Sequence, residues 1–198
     1  MDVTVTMIQA WLDKFTQAIE TNKAYLSDLD TPIGDGDHGN NMARGMAAYQ
    51  EAFAKQNPAT ISDTFKVLSM ALISKVGGAS GPLYGSAFMN LTKATKDLTV
   101  IQKDELGALV AQGLAGIQAR GKAEVGDKTM VDVWAPVAAA LQQGQLTTET
   151  ITVAKEGTKE LVAKKGRASY LGERSLGHID PGAASSALLF ETLLETIA

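Results

Sequence analysis

Ile8-Gln9-Ala10-Trp11-Leu12-Asp13-Lys14-Phe15-Thr16-Gln17-Ala18-Ile19 sets the fold class. Ile8, Trp11, Leu12, Phe15 and Ile19 recur at spacings of three and four residues, which puts them on one face of an α-helix. The same period returns along the chain. Met42, Met46, Tyr49 and Phe53 make a second face, and Phe65, Leu68, Leu72 and Val76 a third. Leu83, Ala87 and Leu91 extend the pattern less cleanly, and Leu106, Leu109, Val110, Leu114 and Ile117 restore it. Val133, Val137 and Leu141 predict a sixth helix, Val153, Leu161 and Val162 a seventh, and Leu188, Leu189, Leu193 and Ile197 an eighth. No stretch alternates convincingly as a strand does. Pro58, Gly77-Gly78, Gly121, Gly144 and Gly166 interrupt the helical pattern. Asp104, Thr147 and Asp180 are predicted N-caps, and Pro82 and Pro181 stand where first-turn prolines stand. The chain reads as all-α, an eight-helix up-and-down antiparallel barrel or bundle, with residues 1–198 as a single domain.

Composition narrows the function classes. With 198 residues and 45% hydrophobic side chains, the chain buries a core without staples. A net charge of -4, with no basic recognition helix, argues against nucleic acid as a partner. The absence of cysteine excludes a disulfide scaffold, a thiolate zinc site and a cysteine nucleophile. Met1-Asp2-Val3-Thr4 lacks the pattern of a signal peptide, and no apolar run approaches the ~20 residues of a membrane span. A cytoplasmic protein without membrane contact is expected.

Glycines and charges gather in four segments: residues 29–41, 76–82, 120–130 and 164–182. They follow the first, third, fifth and seventh helices. Alternate loops of an up-and-down bundle share one end, so all four are expected at the same rim. In the first, Asp35 and Asp37 are two apart, so in an extended segment both carboxylates point to one side, and Asp30 closes from the preceding turn. Three carboxylates without a thiolate suit a hard cation. Magnesium fits through its preference for few carboxylates plus waters and phosphates, whereas calcium would want an EF-hand's glutamate and spacing. A lone Asp-Gly-Asp reads equally as a turn and helix cap; four such loops on one rim favour the site.

Gly77-Gly78-Ala79-Ser80-Gly81-Pro82 precedes a helix whose free N–H groups suit an anion, with Ser80 as a further donor. It has neither the lysine nor the strand of a P-loop, and a plain C-cap followed by an N-cap is the competing reading. Arg167 supplies a phosphate-binding cation, and Asp180-Pro181-Gly182 opens another helix. Lys164 and Lys165 read as a solvated helix end. His38 and His178 read as loop hydrogen-bonding groups rather than phosphocarriers, because three nearby aspartates repel an incoming phosphate unless a metal intervenes. Trp11 and Trp134 read as packing residues.

Four motifs in order, Gly34-Asp35-Gly36-Asp37-His38-Gly39, Gly77-Gly78-Ala79-Ser80-Gly81-Pro82, Gly121-Lys122-Ala123-Glu124-Val125-Gly126-Asp127-Lys128-Thr129-Met130 and Gly166-Arg167-Ala168-Ser169-Tyr170-Leu171-Gly172-Glu173-Arg174-Ser175, resemble the nucleotide-binding L subunits of bacterial dihydroxyacetone kinases. The resemblance spans essentially the whole chain. It implies an eight-helix barrel with a nucleotide at one rim and magnesium, typically two ions, on Asp30, Asp35 and Asp37. It implies nucleotide contacts from His38, Gly39, Asn40 and Asn41, and from Gly78, Ala79 and Ser80. Gly121 and Met130 would enclose adenine and ribose, and Arg167, Asp180, Pro181 and Gly182 would close the site. No catalytic residue is expected on this chain.

Free-standing members of such length are similar to the sugar-phosphotransferase version, in which ADP stays bound as a cofactor. There the phosphohistidine of a phosphocarrier M subunit rephosphorylates ADP, and the ATP so formed phosphorylates dihydroxyacetone on a K subunit. Two alternatives stay open at this point: a nucleotide-exchanging, ATP-dependent kinase subunit, and a nucleotide-loaded module that binds a transcription regulator.

Overall fold

The computed structural model describes residues 2–198. Within them lie α1 (Val5–Asp30), α2 (His38–Gln56), α3 (Ile61–Lys75), α4 (Ser80–Ala94), α5 (Leu106–Gly121), α6 (Val131–Gln142), α7 (Thr148–Gly157) and α8 (Pro181–Ile197). Each helix packs on its neighbours in sequence, and α8 returns to α1, so the eight close into an antiparallel barrel. The indole N–H of Trp11 donates to the Leu189 carbonyl at 2.7 Å and ties this closing seam. None of the described helices is long and apolar enough to cross a membrane.

The apolar faces read from the sequence line the interior. Ile8, Trp11, Leu12, Phe15 and Ile19 are all buried. An aromatic file crosses the barrel from α1 through α3, α4 and α6 to α8. Its ring centroids are 6.3 Å apart for Trp11–Phe65, 5.9 Å for Phe65–Phe88, 6.4 Å for Phe88–Trp134 and 4.9 Å for Trp134–Phe190. Such pairs add about 0.5–1.5 kcal/mol each beyond the area they bury. The rings of both tryptophans therefore pack in the core.

Four details depart from the sequence expectations. The seventh helix ends at Gly157, so Leu161 and Val162 lie beyond it, and Val153 is 64% exposed. Ile151 is its buried anchor; a ten-residue helix turns too little apolar surface inward for its period to stand out. Asp104 sits inside a 3₁₀ turn, Lys103–Glu105, where Glu105 accepts from the Gln102 N–H at 3.2 Å. Val3–Thr4 (β1) pairs antiparallel with Val100–Ile101 (β2), two residues each, too short to show alternation. The fourth polar segment contains a 3₁₀ stretch, Arg167–Ser175, broken at Gly172.

Odd-numbered helices start at the end holding the β1–β2 pair, here the far end, and even-numbered helices start at the opposite rim. Thr4, Thr60 and Thr147 cap α1, α3 and α7 with their own side chains, accepting N–H bonds at 3.3, 3.0 and 3.2 Å. At the rim, Asp37, Ala79 and Met130 precede α2, α4 and α6 and make no side-chain cap.

Candidate functional site

The loops after α1, α3, α5 and α7 converge on one open cavity of about 220 Å³. Asp30, Asp35, Asp37, His38 and Asn41 line it from the first loop, and Gly78, Ala79 and Ser80 from the second. Lys128, Thr129 and Met130 come from the third, and Arg167, Asp180, Pro181 and Gly182 from the fourth. Gly39, Asn40 and Gly121 do not line it. A Cβ on Gly39 would stand 1.8 Å from the Lys23 carbonyl oxygen, and one on Gly121 would stand 2.8 Å from Leu83. Close packing of α1 on α2 requires glycine at 39, where the obstacle is backbone; at Gly121 the neighbour is the tip of the Leu83 side chain on α4.

The first loop folds around its acids. Asp30, at the end of α1, accepts from the N–H groups of Asp37 and His38 at 3.0 and 3.1 Å, so it caps α2 from a distance. Burial raises the Asp30 pKa; the two N–H bonds work against this, and the charges of Asp37 and Asp35 add to it. Asp35 pairs with Arg167 across the mouth of the cavity. The Arg167 side chain is 71% exposed and that of Asp35 42%, so this pair contributes about 0–1 kcal/mol and is readily exchanged for another partner. Among the described residues no three His, Cys, Asp or Glu side chains are gathered tightly enough to enclose a metal ion. The donor set still suits a hard cation: three oxygen ligand groups whose mutual repulsion is part of what raises Asp30.

The second loop leaves α4 open. Ala79 has no side-chain acceptor to offer the first turn, so the N–H groups and the positive end of the helix dipole are available to an anion. α2 is less available, since Asp30 and Ser27 accept from the N–H groups of His38 and Gly39.

The third and fourth loops are pinned together by Lys128, which is 1% exposed and adopts φ +62°. Its ammonium donates to the Thr158 carbonyl at 2.5 Å and to the His178 carbonyl. Burial lowers its pKa, while Asp180 and Asp132 counteract this. Asp132 orders the third loop by accepting from Gly126 and Thr129 N–H at 2.7 and 2.8 Å. Asp180 caps α8 through Ala183 N–H at 2.9 Å. Its carboxyl is enclosed although the residue keeps some solvent contact, and burial pushes its pKa up to about 7 against the pull of the Ala183 N–H and Lys128.

His38 is 6% exposed, and burial lowers its pKa to about 4. Its ring nitrogens face Ser80 Oγ at 3.3 Å and Ser185 Oγ at 2.9 Å, and such a ring is poorly placed to carry a phosphoryl group. Behind it Tyr84 contacts Ser185 and Ser186 at 2.7 and 2.9 Å, and burial pushes its phenol up to about 12. Sequence reading passed over Lys128, Tyr84, Ser185 and Ser186. Ser185-Ser186 on the apolar face of α8 was the available signal, as was Tyr84 one helical turn after Ser80. Lys165, read as a solvated helix end, also borders the cavity.

The chain is 54% identical over 186 residues to the PEP-dependent dihydroxyacetone kinase 1, ADP-binding subunit DhaL, of Listeria innocua, covering 94% of this chain and 93% of that one. It is 52% identical over 196 residues to the corresponding PTS-dependent subunit of Lactococcus lactis, covering 99% and 100%. The solved dihydroxyacetone kinase of C. freundii in complex with AMP-PNP and Mg2+ shares the fold, with a TM-score of 0.75 and 24% identity. That match takes in 98% of this chain and 34% of the kinase. The DAK2 domain model matches residues 32–195, and the chain belongs to the DAK2 domain family.

Proposed function

We propose that the protein is the ADP-binding subunit of a phosphoenolpyruvate-dependent dihydroxyacetone kinase, the activity for which its full-length relatives are named. One observation carries the assignment: four polar loops meet at a single cavity where an uncapped helix N-terminus and Arg167 face three aspartates. A magnesium nucleotide reconciles these opposed charges. In this reading Asp30, Asp35 and Asp37 hold magnesium, two ions in all, which when bound offsets the charge of the phosphates.

The chain's own groups bind and orient. The first turn of α4, with Ser80, takes phosphate oxygens. Arg167 leaves Asp35 for a phosphate at small cost. Asn41 at the start of α2, and Gly182 at the start of α8, complete the polar wall. Met130, 2% exposed, gives an apolar surface towards the base and ribose. Gly39 and Gly121 act through the packing they permit.

No side chain here is required to carry the phosphoryl group. The cavity opens at the rim, so a phosphohistidine on an M subunit and dihydroxyacetone on a K subunit can reach it in turn. ADP remains bound through the cycle, and the location is cytoplasmic. Native mass spectrometry of the purified protein tests this: a retained ADP mass is expected. A nucleotide-free protein that exchanges ATP rapidly would overturn the resident-cofactor reading.

A further inference from the structure

A file of polar side chains runs from the middle of the barrel to the cavity floor. The Trp134 indole N–H donates to Ser186 Oγ at 3.1 Å. Ser186 lies 2.9 Å from the Tyr84 hydroxyl, and Tyr84 lies 2.7 Å from Ser185 Oγ. Ser185 reaches His38 Nε2 at 2.9 Å, and His38 Nδ1 reaches Ser80 Oγ at 3.3 Å. Trp134, Ser186, Tyr84 and Ser185 are at most 1% exposed. Packing does not call for hydroxyls here, and each buried O–H left without an acceptor costs about 1–3 kcal/mol.

Counting protons gives the file a direction. An indole N–H can only donate, and each hydroxyl has one proton to give. Ser186 accepts from Trp134, and its one remaining partner in the file is Tyr84, so it donates there. Tyr84 then donates to Ser185. Ser185 has two acceptors within reach, His38 Nε2 at 2.9 Å and the Gly182 carbonyl at 3.1 Å. The Gly182 carbonyl stands four residues before Ser186 in α8 and already accepts the helical N–H bond there, which leaves it one lone pair, at the longer distance, for the Ser185 proton. The imidazole nitrogen has no other donor. The ring, enclosed and hydrogen-bonded to no carboxylate, is neutral. With Nε2 accepting, the proton sits on Nδ1 and is donated to Ser80 Oγ. The Ser80 proton is then free to point into the cavity.

We propose that Trp134, Ser186, Tyr84 and Ser185 are positioning residues that hold His38 in its Nδ1–H tautomer and so aim the Ser80 hydroxyl proton at a phosphate oxygen. The phosphate clause rests on the nucleotide reading above; the tautomer does not. Had Ser185 spent its proton on Gly182, the order beyond it would reverse, and Ser80 would show the cavity only lone pairs.

The ring itself reports the order. In ¹⁵N-labelled protein carrying His178→Gln, a single imidazole remains, and long-range proton–nitrogen spectra distinguish its two nitrogens without any nucleotide. A protonated Nδ1 and bare Nε2 are expected; protonated Nε2 with bare Nδ1 overturns the proposal. Ser185→Ala should then mix the tautomers and weaken ADP binding by about tenfold, with adenosine binding unchanged and no further loss in a Ser80→Ala background. Tyr84→Phe should act in the same direction but less. Equal losses for ADP and adenosine would mean a merely structural role and would overturn it. If the unmutated protein does not bind ADP, the nucleotide reading falls while the ring spectrum still decides the tautomer.

Discussion

The two ends of the barrel start their helices in different ways. At the far end Thr4, Thr60 and Thr147 each spend a side chain on their own helix. At the rim Asp37, Ala79 and Met130 do not, and only Asp180 does. A cap contributes about 1 kcal/mol, so three omissions set against a total stability of 5–15 kcal/mol are a substantial cost. Part is recovered by borrowing: Asp30 reaches across seven residues to cap α2, and Asp132 ties down the loop before α6. The start of α4 has no such borrowed cap. One end of the molecule is built to stay folded, and the other leaves backbone donors unspent.

The largest effect expected from this contrast is at the acids. Asp35→Asn or Asp37→Asn should weaken magnesium–ADP binding on the order of 100-fold, read by titration calorimetry. The melting temperature without nucleotide should hardly move, because both groups are exposed. Unchanged affinity in both variants would remove the metal assignment.

A pH effect comes next. His38 has a folded pKa of about 4 against an ordinary 6.5. Between these values the unfolded chain takes up a proton that the folded chain refuses, so the contribution is complete above pH 6.5 and lost as pH falls through 4. It amounts to about 3 kcal/mol. Urea unfolding of His38→Gln should show a shallower decline over that window than the unmutated protein.

Ala79→Asp places a carboxylate at the open helix start. ADP affinity should fall about tenfold with no loss of apo stability, since the new charge occupies the positive end of the dipole. Thr60→Ala should do the reverse: about 1 kcal/mol of stability lost in denaturant titration, and no change in ADP affinity. If Thr60→Ala weakened ADP binding as much as Ala79→Asp, the division of labour between the two ends would not hold.

The barrel was legible because its signals are local. Helical period and breakers mark all eight helices, the seventh out of phase, and loop parity brings the four glycine-rich segments to one rim. What failed was information carried between distant residues. Gly39 and Gly121 sit in motif positions, yet only the approach of Lys23 and Leu83 shows why they are glycine. Lys128 looks like any loop lysine until the carbonyls of Thr158 and His178 close around it. The sequence offers Asp30 as a metal ligand closing from the preceding turn, and its capping of α2 depends on a turn whose path a one-dimensional pattern does not give. Val153, Leu161 and Val162 miss Ile151, the buried anchor of the seventh helix, because a short peripheral helix has too few residues to fix its phase.

The seam between α8 and α1 has one more consequence. With an even number of antiparallel helices, the chain leaves the barrel at the end where it entered. Val3 pairs with Ile101, and the Ile197 carbonyl accepts from Lys103 at 3.1 Å, so both termini are moored to the same short stretch on the side away from the cavity. A polypeptide joined at either terminus would hang behind the barrel and leave its mouth clear. The same wiring therefore serves a separate subunit or one module of a longer chain, with no linker crossing the path of whatever docks there.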